Sequence, residues 1–233
     1  MSDIVDFLPT LLQGALITLQ ITLGAAVLGL VCAFASGLAA VSGNRLARAV
    51  SRVYVEFIRG TSALVQLFWL FFALPLVGIR FEAMAAGIIA LGLNIGAYGS
   101  EVVRGAIRAV PRSQVEATIA LNMSGYQRMR RVILPQAVVG MLPPFGNLLI
   151  ELLKGTSLVS LITIADLTFR AQVLRASTGE TATIFLLVLG LYFVMAYAST
   201  LGMRALERRA AASIGQRKLK VDRSKVIAGT VVS

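Results

Sequence analysis

From Leu8 to Asn44 the chain runs without a single charged residue. Nothing else in the sequence limits the fold so strongly, because a segment of that length has no place in the core of a small soluble protein. A helix rises about 1.5 Å per residue, so roughly 20 apolar residues cross the hydrocarbon of a bilayer. Further uncharged stretches follow at Gly60–Ile79, Ala83–Ser100, Val132–Ile150, Gly155–Ala165 and Thr181–Met203. Only 14% of the residues are charged, against about a quarter in average soluble domains. The pattern predicts an all-α integral membrane protein. A cleaved signal peptide does not explain the first run: Asp3 and Asp6 stand where a signal is basic, and the run far exceeds a signal's apolar core.

The net charge of +11 is distributed in a way that excludes nucleic acid as a partner. No Lys or Arg precedes Arg45, and the basic clusters flank the apolar runs instead of forming one basic face with aromatic platforms. Histidine is absent, which removes imidazole metal ligands, bases and proton relays, and no metal site is expected. The lone Cys32 reads as a small packing residue.

Eighteen basic residues fall into three segments, Arg45–Arg59, Arg104–Arg131 and Arg204 to the end. Three others, Arg80, Arg170 and Arg175, occupy the alternate connectors, and Lys154 lies within an apolar stretch. Placing the rich segments inside follows the positive-inside rule. Both the Arg104–Arg131 loop and the C-terminus are then cytoplasmic, so an even number of crossings separates them. Thr181–Met203 is one, and the interrupted stretch from Val132 to Ala165 must therefore cross once. Pro135, Pro143, Pro144 and Gly155 are expected to break it, with its first part near the cytoplasmic face. The result is about five spans, near residues 11–41, 60–79, 83–104, 145–166 and 181–204, with the N-terminus outside and the C-terminus inside. Residues 1–215 form the membrane domain and residues 216–233 a basic cytoplasmic tail suited to anionic lipid.

The cytoplasmic loop at residues 110–135, between spans 3 and 4, is the most informative segment. Pro111 suits a helix start and Glu116 falls in the first turns, where a carboxylate favours the macrodipole. Ala117, Ala120 and Leu121 give an apolar face; Asn122 and Ser124–Gly125 then interrupt the helix, since Asn and Gly tolerate positive φ. A second helical piece follows and is expected to end at Leu134–Pro135. Such a helix-turn-helix can dock into another protein's groove or rest on lipid headgroups, and composition alone leaves both open.

The order of residues goes further. Glu116, Ala117, Val132, Leu134 and Pro135 match the register E-A-A-x-x-x-G, nine residues, aliphatic-x-L-P, with Thr118 for the second alanine and Asn122 for the glycine. This resembles the EAA loop of type I ABC importer permeases. YVEFIRGTSALVQLF from Tyr54, NIGAYGSEVVRGAIRAVP from Asn94 and ELLKGTSLVSLI from Glu151 are similar to three blocks of the polar amino acid permeases. In its wording the chain looks closest to the ectoine/hydroxyectoine branch. The resemblance implies a multi-pass protein of the bacterial cytoplasmic (inner) membrane. It implies as partners a cytoplasmic ABC ATPase dimer, a second permease chain (a paralogue preferred, a homodimer possible) and a periplasmic or lipid-anchored solute-binding protein. ATP and magnesium belong to the ATPase; this chain holds no cofactor and no phosphate loop, and is not an enzyme. Gln114, Glu116, Ala117, Asn122, Gly125, Leu134 and Pro135 are the residues it assigns to coupling.

Charged and polar residues inside a bilayer are functional candidates by default. Glu151 and Lys154, three apart, can share a helix face and partly neutralise each other, either as a structural pair or beside a solute site. Gly155, Thr156 and Ser157 follow where the helix can open. Relatives in the resembled family often carry an aspartate at the position of Gly155. Its absence disfavours cationic amino acids and favours a neutral or zwitterionic solute, an amino acid or an ectoine-type compatible solute. Gln66 can bond a solute or a neighbouring helix. Arg59, Gly60 and Thr61 at the second span, with Tyr98, Glu101 and Arg104 on the third, are candidates for the cytoplasmic gate or its bracing, Arg59 being read first as a positive-inside anchor. The alternative function is an ion-coupled secondary carrier for amino acids, for which only Glu151 and Lys154 offer buried titratable groups.

Overall fold

The computed structural model describes residues 2–213, which form helices joined by short turns with no strand among them; the tail assigned to residues 216–233 lies outside the described residues. Helix α1 covers Ser2–Val41, and its apolar part, Phe7–Val41, starts earlier than the expected residue 11. After a short turn, Asn44 caps α2 (Arg45–Arg59) by accepting from the backbone N–H groups of Leu46 and Ala47 at 2.9 and 3.4 Å. Helix α3 (Ala63–Phe68) continues as a π turn, Trp69–Ala73, and a 3-10 turn, Leu74–Val77. Helix α4 is Ala83–Arg108 and α5 is Arg112–Ala120. Helix α6 (Gly125–Arg128) runs through a π turn, Met129–Ile133, into α7 (Leu134–Gly155), which tightens into the 3-10 turns of Thr156–Ile162. Helices α8 (Leu167–Thr178) and α9 (Thr181–Ser213) complete the chain.

Four of these runs are long and apolar enough to cross a membrane: Phe7–Val41, Ala83–Arg108, Gly125–Ile162 and Thr181–Ala210. A fifth is available if α2 and the segment Ala63–Val77, bent from each other by 100°, make one broken crossing. The second span expected at residues 60–79 is thus not a straight helix. Residues 63–77 rise only about 22 Å at 1.5 Å per residue, short of the roughly 30 Å hydrocarbon.

The fourth span also departs from expectation. Where the sequence suggested a start near residue 145 after a proline-broken approach, helix begins at Leu134 and is continuous with the second arm of the cytoplasmic loop. Leu134–Pro135 does not end that arm. Pro143 and Pro144 lie inside α7 without breaking it. Ala137 and Met141 before them sit in a buried cluster with Ala33, Val103 and Ile133, and Gly146 beyond them packs on Met203. Neighbouring helices hold a proline-containing turn that would fray alone. Both π turns directly precede a proline, Pro75 and Pro135. The widened turn gives the ring room that an α turn denies it.

The most extensive helix pairing is a seam between α1 and α4. A Cβ on Gly29 would lie 2.3 Å from Cγ2 of Ile95, and one on Gly96 2.7 Å from Cβ of Cys32. Small residues here let two membrane helices touch along their backbones, and Cys32 is part of that packing.

Candidate functional site: a coupling turn and a charged helix end on one rod

Pro111 caps α5 as expected, and α5 presents Gln114, Glu116 and Ala117 to the outside. The helix ends where Asn122 takes φ of 53°, the left-handed conformation that its place in the pattern, on a glycine position, predicts. Ser124 then starts α6 with a reciprocal capping box, its hydroxyl accepting from the Gln127 N–H at 3.3 Å while Gln127 Oε1 accepts from the Ser124 N–H at 3.0 Å.

Thr118 is the buried residue of α5, its hydroxyl donating to the Val115 carbonyl at 2.6 Å. The apolar face of Ala117, Ala120 and Leu121 points outward. Val115 and Met129 are what pack on the inner ends of α1, α4 and α7. Ile119, Leu121 and Tyr126 are 57%, 74% and 70% exposed around the turn. Ile119 and Tyr126 carry no sequence signal for this role, because an apolar residue at helical spacing reads equally as core, and here it marks a surface.

Gly125, Leu134 and Pro135 lie on the rod that continues from this turn. Toward its other end stand Glu151 and Lys154, both exposed on the surface of the chain and making no ion pair with each other. The mutual neutralisation expected from their spacing is therefore not formed. Gly155 marks the change from α to 3-10 winding, so the helix tightens at Gly155–Thr156 and does not unwind. Thr156 is buried and donates to the Leu153 carbonyl at 2.7 Å; Ser157, half-buried, donates to that of Lys154 at 2.9 Å.

Gln66 is committed within the chain. Its Nε2 donates to the Ile58 carbonyl and the Thr61 hydroxyl, each at 2.7 Å, and its Oε1 accepts from Asn94 Nδ2 at 3.2 Å. It ties the bend between α2 and α3 to α4, which leaves it little capacity for a solute. Thr61 belongs to the same knot through a 3.0 Å bond to the Phe57 carbonyl, and Gly60 ends α2.

The gate candidates meet in two pairs. The Arg59 guanidinium lies 5.1 Å over the Tyr98 ring, a cation–π arrangement, and Arg104 forks onto the Glu101 carboxylate one turn below. At the opposite end of the bundle Asp166, fully buried, caps α8 through a 2.8 Å bond from the Phe169 N–H. Its other carboxylate oxygen has no hydrogen-bond partner among the described residues. Burial pushes this carboxyl up to about 6, against the bonds from Phe169 and Thr168 that favour the ion. No motif flagged it.

Residues 25–212 match the family described as "Binding-protein-dependent transport system inner membrane component". The chain belongs to that family. It is a non-enzymatic, multi-pass component of the inner membrane, and the carrier alternative finds no support in this membership. Among the family's relatives, the chain is 50% identical over 208 residues to a probable amino-acid ABC transporter permease protein, y4tF, of Sinorhizobium fredii, covering 87% of each chain. It is 36% identical over 204 residues to the glutamine transport system permease protein GlnP of Escherichia coli, covering 87% of this chain and 93% of that one. The crystal structure of an amino acid ABC transporter with histidines superposes with a TM-score of 0.83 at 34% identity, covering 89% of this chain and 97% of the other. The helical permease fold inferred from the sequence is thereby shown.

Proposed function

We propose that this chain is the permease subunit of an ATP-driven importer of a small neutral or zwitterionic amino acid. The observation that carries the reading is the continuous rod from Gly125 to Ile162. It bears the exposed turn at one end and, roughly 40 Å away by helical rise, the unpaired Glu151 and Lys154. A permease must convert a push at its cytoplasmic face into a change around a solute path, and a rod joining the two does so without intermediate parts. Charges exposed from a membrane-length helix require either a water-filled path or a second chain over them, which supports pairing with another permease chain, a paralogue or a copy of this one. A zwitterion offers a carboxylate to Lys154 and an ammonium to Glu151.

In this mechanism a solute-binding protein delivers cargo to the end holding Asp166 and α8, which is external. An ATPase dimer, which holds the ATP and magnesium, closes beneath the turn formed by Gln114, Glu116, Ala117, Asn122 and Gly125. Its closure tilts the rod at the π turn before Pro135, and hydrolysis returns it. The Arg59–Tyr98 and Glu101–Arg104 contacts brace the cytoplasmic side. The relatives named above transport glutamine or are amino-acid permeases by name, so an amino acid is favoured over an ectoine-type solute as cargo.

The test is solute-stimulated ATP hydrolysis by the purified complex in proteoliposomes, with glutamine, arginine and ectoine as cargo. Stimulation by glutamine, abolished by Glu116→Lys while the complex still assembles, is the expected result. Stimulation by arginine or ectoine alone overturns the cargo class. Full coupling in the Glu116→Lys complex overturns the role given to the turn.

A further inference from the structure

Helix α2 has three faces. Ser51, Val55 and Ile58 are buried against the bundle, and the Ser51 hydroxyl donates to the Ser36 carbonyl at 2.9 Å. Leu46, Val50, Val53 and Phe57, at helical spacing, are 72%, 62%, 68% and 66% exposed. Arg48, Arg52, Glu56 and Arg59 form the third stripe. That stripe, with Glu101, Arg104 and Arg108 of α4, walls a cavity of about 560 Å³. Five arginines therefore face two carboxylates in one space. Arg104 is occupied by Glu101, Arg59 lies on Tyr98, and Arg48 gives one donor to the Ser42 carbonyl at 2.8 Å. Arg52 and Arg108 make no side-chain hydrogen bond or ion pair among the described residues.

We infer that this cavity binds the phosphodiester headgroup of an anionic phospholipid, whose acyl chains lie along the Leu46–Phe57 stripe of the same helix. Guanidinium groups fork onto phosphate oxygens, and the cavity's excess of positive charge requires an anion. A soluble phosphate satisfies the arginines and leaves the apolar stripe bare. A phospholipid satisfies both, and its headgroup lies at the bundle end where Arg48, Arg52 and Arg108 stand. A zwitterionic lipid brings an ammonium into an already cationic space, so the site selects lipids of net negative charge. Neither the transported solute nor the ATPase is involved, and the lipid holds α2 against α4 beside the Arg59–Tyr98 contact.

The experiment is lipid retention by the intact detergent-purified complex, read by native mass spectrometry after washing with mixed phosphatidylglycerol and phosphatidylcholine. The wild-type chain is expected to retain phosphatidylglycerol selectively. The R52Q/R108Q variant should lose that retention several-fold, while R45Q, on the same helix outside the cavity, keeps it. Equal retention in R52Q/R108Q, or no preference over phosphatidylcholine, overturns the inference. Phosphatidylglycerol with a photoreactive acyl chain, in nanodiscs of the wild-type complex, should label the peptide spanning Leu46–Phe57 even with excess inorganic phosphate. Labelling only elsewhere, or its abolition by inorganic phosphate, assigns the cavity to a soluble anion and overturns the lipid. All these readouts are independent of transport, so they stand or fall apart from the cargo.

Discussion

Single residues set the two ends of this molecule. Asn122 accepts a left-handed φ of 53° at a position where the pattern allows glycine, because its short polar side chain tolerates that region. The choice was legible from the sequence, since few residues other than Gly and Asn end a helix this way. Asp166 was not legible: its weight comes from total burial by helices distant in the chain. With its carboxyl raised to about 6 from an ordinary 3.8, the folded state holds a proton that the unfolded state releases between those values. Stability therefore falls as pH rises through that window, by roughly 3 kcal/mol, and stays lower above it. Asp166→Asn retains an acceptor for the Phe169 N–H and removes the titration. Thermal unfolding of the purified complex at about pH 4.5 and about pH 7 should show a drop in the wild type that the variant lacks.

At the scale of elements, apolar runs located the helices but misplaced their joints. The sequence offered Pro135, Pro143 and Pro144 as breaks, yet helix persists through all three because π widening and neighbouring side chains supply what the prolines remove. Conversely, residues 60–79 looked uninterrupted and hold a bend of 100° beside α2, fixed by Gln66 bonding across it to Ile58, Thr61 and Asn94. The α1–α4 seam is the element contact most open to test. A Cβ added at Gly29 lies 2.3 Å from Ile95 and 3.1 Å from the Gly92 carbonyl, whereas one at Gly105 meets nothing within 4 Å. Gly29→Ala should cost about 1–3 kcal/mol by overpacking and reduce the yield of assembled complex, while Gly105→Ala stays near wild type in size-exclusion profile and yield.

For the whole molecule, charge asymmetry argues that the Arg104–Arg131 end is cytoplasmic. Thiol labelling in intact cells checks this on a chain whose only cysteine, Cys32, is first replaced by alanine. A membrane-impermeant reagent should modify Ser177→Cys on α8 in intact cells and Ser124→Cys only after permeabilisation. The reverse pattern inverts the orientation and moves both the turn around Asn122 and the arginine cavity to the outer side.

The sequence by itself determined that this chain lives in a membrane, where its long apolar helices lie, and which loop resembles the coupling loop of its family. Those conclusions rest on hydropathy, charge placement and short motifs, all of which are local along the chain. Only the tertiary structure decided that the loop and the fourth span are one rod, that Gln66 is a brace, and that Glu151 and Lys154 face outward unpaired. It alone also showed that the arginines of α2 and α4 enclose a common space. These depend on which faces of distant helices meet, and helix packing fixes that through side-chain shape, which a one-dimensional pattern does not contain.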